Sequence, residues 1–198
     1  EDAGLIDKLG RYVLAHALAE WSMFLAAEAR EDSLKIAVNI SPSHFLQADF
    51  VNQVELILGA YDLRNCHLVL EVTEGVVIQD IDDISNKMEA LRQLGVGISL
   101  DDFGTGYSSL AYIKRLPFDT LKIDRSFVRD IHTDANDAAI VGAILAMTMS
   151  LGVEVIAEGV ETDEQRYFLE QRGCKLYQGY LFARPALLSE LINRGVFN

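Results

Sequence analysis

Ser99-Leu100-Asp101-Asp102-Phe103-Gly104-Thr105-Gly106-Tyr107-Ser108-Ser109 carries an apolar strand straight into two adjacent carboxylates and a loop hinged on two glycines. Side chains alternate across a strand, so consecutive acids reach one site only where the strand is turning into its loop. Two anions this close push a carboxyl pKa upward, whereas one or two divalent metals would hold both ionised. Gly104 and Gly106 let the loop bend sharply. Taken alone, an Asp-Asp before glycines also suits a turn or a helix cap. The chain on either side decides between these readings.

Toward the N-terminus, Leu5, Ile6, Leu9, Val13, Ala17, Trp21, Phe24 and Leu25 keep helical spacing. They predict a helix to about Ala29 with one apolar face laid on a sheet. Glu1-Asp2-Ala3-Gly4 reads like a helix tail closed by a C′ glycine, so chain upstream is expected. Lys35 to Ile40 is a β run ended by Ser41-Pro42, and Asp49 is placed to cap a helix through Val51, Val54 and Ile57. His67 to Val72 is the next strand, with Glu71 at its end. A helix through Ile84, Met88 and Leu91 then stops at Gly95.

Beyond the acidic pair, Ser109 to Leu116 reads as a short helix closed off by Pro117. Asp119 to Asp124 is a strand, and Ala138 to Leu151 a helix that ends at Gly152. Val153 to Ala157 runs into Glu158. Thr162 and Gln165 are spaced for a capping box that starts a helix ending at Gly173. Lys175-Leu176-Tyr177 is the last strand and exits at Gln178-Gly179.

The grammar repeats as strand, polar residue, loop, helix, glycine, strand, which is parallel α/β. An open doubly wound sheet collects functional groups beside its topological switch point. A closed barrel gathers them from many strands onto one face. All six strands here end polar: Asn39, Glu71, Asp101 with Asp102, Lys122 with Asp124, Glu158, and Gln178. The expected fold is therefore a TIM-like (β/α) barrel. Six of its eight strands are present, and the other two are expected upstream of residue 1.

The totals are consistent with this. The chain has 198 residues, half of them hydrophobic, enough for one domain with a sizeable core. A formal charge of −13 and the lack of any basic run argue against a nucleic-acid polymer as partner. The longest apolar stretch, Ala138 to Leu151, is too short to span a bilayer, so membrane insertion by this segment is not expected. Cys66 and Cys174 read as buried thiols rather than a disulfide, in keeping with a reducing cytoplasm. The four histidines share no ligand spacing, which speaks against zinc.

With these residues assembled, the sequence resembles the EAL domain, the bacterial phosphodiesterase of cyclic di-GMP, over essentially its whole length. The resemblance rests on Val38-Asn39-Ile40-Ser41, Glu71-Val72-Thr73-Glu74, the stretch from Asp101 to Ser109, Leu121 to Val128, Ala157-Glu158-Gly159-Val160-Glu161-Thr162 and Gln178-Gly179-Tyr180. It implies a TIM-like barrel whose first strand runs antiparallel, and a two-metal hydrolysis of one phosphodiester to linear pGpG. By the same resemblance Asn39, Glu71, Asp101, Asp102 and Glu158 are metal-site residues, with Asp124 supporting the second metal. Lys122 and Glu158 serve catalysis, and Glu74 anchors the loop after Asp102. Gln178 and Gly179 lie beside the nucleotide, as does Asp102, while Phe182, Arg184 and Pro185 meet a guanine. Gly75 stands where the family usually has Ser. The Glu-Ala-Leu strand that names the domain, with its metal-binding Glu and nearby Arg, is expected before residue 1, so residues 1–198 read as a partial EAL domain.

An all-oxygen ligand set suits Mg²⁺ or Mn²⁺. By the same resemblance, Ca²⁺ is expected to support binding without turnover. Two rival readings stay open. Lys122 could form a Schiff base, which needs a neutral amine that carboxylate neighbours disfavour. Alternatively, an impaired EAL-like module could bind cyclic di-GMP or a protein partner without cutting. A homo-oligomer is expected from the sheet edges that a barrel short of two strands would expose. An upstream sensory or GGDEF domain would fit the family.

Overall fold

Val38 and Ile40 are buried while Asn39 between them is exposed, and this period of two sets which face of each strand meets the helices. The computed structural model describes residues 3–28, 34–61, 63, 68–78, 80–106 and 113–194. Its strands are β1 (Ile36–Ile40), β2 (Leu68–Thr73), β3 (Gly97–Phe103), β4 (Thr120–Ile123), β5 (Glu154–Glu158) and β6 (Leu176–Gln178). All neighbours pair in parallel, in the order β1-β2-β3-β4-β5-β6. Each crossover therefore advances one strand in the same direction, and the shared handedness of such connections puts the crossover helices on one side. No reversal of strand order occurs among the described residues, which removes the doubly wound alternative. The sheet is a curled barrel wall, with β1 and β6 as its edges.

Leu68, Leu70 and Val72 of β2, Ile98 and Leu100 of β3, and Leu121 and Ile123 of β4 face outward and are almost wholly buried. They pack with Phe50, Val54, Met88, Leu91 and Val128 in one core. Burying each such side chain stabilises the fold by about 1.5–3 kcal/mol. The inner face is left to Asn39, Glu71, Ser99, Asp101, Lys122, Glu158 and Gln178.

The helices are α1 (Ala3–Glu28), α2 (Pro42–Phe45), α3 (Phe50–Ala60), α4 (Ile81–Gln93), α5 (Arg125–Arg129), α6 (Ala135–Leu151), α7 (Asp163–Glu170) and α8 (Leu188–Asn193). Their starts are chemically marked. Asp80 and Asp134 accept from backbone N–H groups at the heads of α4 and α6, and Thr162 with Gln165 forms the expected capping box. Asp49 precedes α3, but its side chain makes no capping hydrogen bond, contrary to expectation. The stretch after β1 is not plain loop. Pro42 opens α2, and Ser41 accepts from the backbone N–H of His44.

The apolar face of α1 also differs from its reading in sequence. Leu14, Leu18, Trp21 and Phe24 are buried, whereas Leu5, Leu9 and Val13 are exposed. Among the described residues α1 packs mainly on α2, α3 and β1. Cys174 is a buried free thiol. Cys66, Tyr107 to Ser109 and the first half of the helix expected over Ser109 to Leu116 lie outside the described residues.

Candidate active site

The C-terminal strand ends converge on Lys122. Its Nζ lies 2.7 Å from Glu158 Oε1, 2.9 Å from Glu71 Oε2 and 3.3 Å from Asp101 Oδ1, with the lysine side chain 3% exposed. These partners come from β5, β2 and β3, so the site exists only once four strands are in register. Burial works against the lysine's charge, but its hydrogen bonds to Glu158 and Glu71, and their charges, outweigh it and push the pKa above that of ordinary lysine. A neutral amine, which Schiff-base chemistry requires, is thereby strongly disfavoured.

Asp102 reaches the same place by a backbone device. It has φ 54, the one left-handed non-glycine among the described residues, and the β3–β4 ladder shifts register between Leu100 and Phe103. That twist turns the second of two consecutive acids toward the site of the first, at a backbone cost of about 1–2 kcal/mol. One carboxylate oxygen from each of Asp101, Asp102 and Glu158 lies within 4.8 Å of the others. Burial first, then the charges of Asp101 and Asp124, raise the pKa of Asp102. For Glu158 burial outweighs the Lys122 bond, and Asp101 and Glu71 add to the rise.

Glu71, Asp101, Asp102 and Glu158 thus face a single ammonium. The excess is negative and the donors are all oxygen; burial first, and neighbouring carboxylates after it, raise the pKa values of Asp102 and Glu158, and a further cation would offset both effects. This arrangement fits a hard divalent ion such as Mg²⁺ or Mn²⁺.

Glu74, 4% exposed, stands just past β2. Its Oε2 accepts from the backbone N–H groups of Gly104 at 3.1 Å and Gly106 at 3.3 Å. A Cβ on Gly106 would lie 3.1 Å from that carboxylate, so the glycine permits the close approach. Asp124 caps α5, accepting from Ser126 N at 2.9 Å, and its charge reaches Asp102. Capping alone would account for its position.

Asn39 is the register neighbour of Glu71, and Gln178 that of Glu158. Both are exposed on the inner face. Gly179 is fixed sterically, since a Cβ there would lie 2.1 Å from the Val160 carbonyl oxygen. Phe182 stacks on Tyr177 with ring centroids 6.0 Å apart, and Arg184 lies over the Tyr180 ring at 4.6 Å. Phe182, Arg184 and Pro185 are exposed on the segment after β6.

Sequence pattern did not mark a cavity of about 560 Å³ beside Asp124, lined by Arg125, Ser126, Arg129 and Glu161 among others. Arg125 and Arg129 stand one helical turn apart, a spacing that could have pointed to it. No helix among the described residues is long and apolar enough to cross a membrane.

A parallel barrel wall here gathers acidic groups from successive strand ends around one buried lysine, an arrangement whose donors fit a divalent metal ion. The family profile described as EAL domain matches residues 1–185, and the chain belongs to that family. It is 47% identical over 192 residues to the cyclic di-GMP phosphodiesterase NbdA of Pseudomonas aeruginosa, covering 96% of this chain and 24% of that protein. Among solved structures, the c-di-GMP complex of the MucR phosphodiesterase superposes with a TM-score of 0.89 at 44% identity, covering 95% of this chain and 75% of that one. The manganese and c-di-GMP complex of Klebsiella pneumoniae BlrP1 superposes at 0.77 with 34% identity, over 93% of this chain and 45% of that one. The chain spans about a quarter of the length of these curated relatives.

Proposed function

We propose that this chain carries the reaction centre of a cyclic di-GMP phosphodiesterase that opens one phosphodiester to give linear pGpG. The observation that carries the reading is the buried Lys122 ammonium held by Glu71, Asp101 and Glu158, with Asp102 turned in beside them. Asn39, Glu71, Asp101, Asp102 and Glu158 would hold Mg²⁺ or Mn²⁺, with Asp124 at the margin. When bound, such ions supply an activated water and a clamp on the phosphoryl oxygens.

The chain's own groups do the rest. Lys122 keeps its proton and places a fixed positive charge where negative charge develops on the phosphate. Glu158 and Glu71 hold that ammonium in place. Glu74 fixes the backbone after Asp102 through Gly104 and Gly106. Gln178 and Gly179 border the nucleotide, and the exposed Phe182, Arg184 and Pro185 offer an apolar and cationic surface to a guanine. Ca²⁺ is proposed to support binding without turnover. A cytoplasmic setting fits the free buried Cys174.

Chromatography of cyclic di-GMP incubated with the full-length protein and Mn²⁺ tests the reading. Accumulation of pGpG is the expected result. Nucleotide binding without any cleavage would overturn it in favour of a binding module.

A further inference from the structure

Phe127 of α5 touches the loop that follows Asp102. Gly104 has φ 100, and a Cβ on it would lie 2.8 Å from Cε2 and 3.3 Å from Cζ of the Phe127 ring. The tip of the ring therefore fills the place that a side chain at Gly104 would take. Phe127 itself is half-buried against the core. It shares its short helix with Asp124, whose side chain caps that helix and reaches the side chain of Asp102.

The bonds to Glu74 leave this loop a freedom that the ring removes. The N–H groups of Gly104 and Gly106 both donate to one atom, Glu74 Oε2. Bonds that converge on one atom fix distances from it but do not stop rocking about it, and glycines at both positions offer little steric resistance. Asp102, at φ 54, holds a left-handed backbone that a non-glycine residue keeps only where its surroundings over-determine it. With the loop free to rock, Asp102 would relax and carry its carboxylate away from Asp101 and Glu158. We propose that Phe127 is a positioning residue for Asp102, its ring tip locking the backbone at Gly104 so that the loop cannot pivot about Glu74. The apolar shell of a metal site then does for the backbone what outer hydrogen bonds do for a ligand side chain. The inference rests on the assignment of Asp102 to the metal site.

Two measurements on the full-length protein test it: deuterium uptake over the segment from Asp102 to Gly106 without metal, and calorimetric titration of Mn²⁺ into the nucleotide-free protein. Phe127→Leu keeps the packing at the base of the side chain but removes the ring atoms nearest Gly104. It should speed uptake in that segment and weaken Mn²⁺ binding by about tenfold. Phe127→Met, long enough to reach the glycine, should bring both back toward the parent. If Asp102→Asn weakens Mn²⁺ binding while Phe127→Leu leaves uptake and affinity unchanged, the positioning role is overturned and the metal site stands. A lowered melting temperature in Phe127→Leu with unchanged affinity would likewise overturn it and leave Phe127 as packing alone. If Asp102→Asn does not alter Mn²⁺ binding, the assignment of Asp102 itself fails, and the inference falls with it.

Discussion

Lys122 Nζ stands 2.7 Å from Glu158 Oε1, joining the end of β4 to the end of β5 by a charge-assisted hydrogen bond in a buried setting. Replacing the lysine should separate chemistry from binding. Lys122→Ala is expected to lower kcat by roughly 10²–10³-fold or more, with nucleotide affinity changed only a few-fold. In the metal-free protein it should also cost about 3–5 kcal/mol, because buried carboxylates lose their partner. Steady-state kinetics and thermal melts check both parts. Turnover at the parent rate would remove Lys122 from the mechanism.

The raised pKa values of Asp102 and Glu158 set a pH dependence. A group whose pKa is higher folded than unfolded contributes stability that is fully present below the ordinary carboxylate range. That contribution is lost as pH rises through the raised value. The metal-free protein should therefore gain stability on mild acidification within this window. Added Mn²⁺ should raise the melting temperature more near neutral pH than near the carboxylate range, where protons compete for the same oxygens. A metal-induced shift independent of pH would contradict the assignment.

Glu74→Gln removes the ionised acceptor from the N–H groups of Gly104 and Gly106. Hydrogen bonds to charged groups are worth about 1.5–3 kcal/mol, enough to release the loop without unfolding the wall. Activity should fall by about tenfold or more, with the circular dichroism spectrum unchanged. Normal turnover would show that the loop holds itself in place.

Gly179→Ala tests a purely steric claim. The added Cβ would meet the Val160 carbonyl oxygen at 2.1 Å and the Val160 nitrogen at 2.4 Å, both of them backbone atoms that cannot swing aside. Relieving the clash would pull β6 from the turn after β5, where Val160 N donates to Gln178 O. A loss of about 1–3 kcal/mol or more is expected in denaturant titrations. An unchanged midpoint would mean that the two turns are less closely docked than described.

The strand ends were legible because a parallel strand's C-terminal residue must point somewhere, and six polar ends in succession are hard to produce by chance. Asn39, Glu71, Lys122 and Glu158 needed only the period of two. Thr162 with Gln165 and Gly152 announced themselves through cap chemistry. What local pattern did not carry was tertiary. The left-handed backbone at Asp102 depends on how β3 and β4 slip past each other. The bonds from Gly104 and Gly106 to Glu74 cross 30 and 32 residues. The burial of Leu14 and Leu18 in place of Leu5 and Leu9 depends on which elements lie under α1, and helical spacing fits either stripe. Asp49 shows the converse, a residue of the right type in the right place whose backbone, at φ −97 and ψ 6, does not aim its side chain at the helix head.

The central claim is that Glu71, Asp101, Asp102 and Glu158 form a metal centre beside Lys122. An anomalous-difference map, recorded at the manganese edge from crystals grown with Mn²⁺ and cyclic di-GMP, measures this directly. The account predicts manganese within coordinating distance of Asp101, Asp102 and Glu158, with Lys122 Nζ facing the scissile phosphate. Bound nucleotide with no manganese at those carboxylates, or manganese elsewhere on the wall, would contradict it.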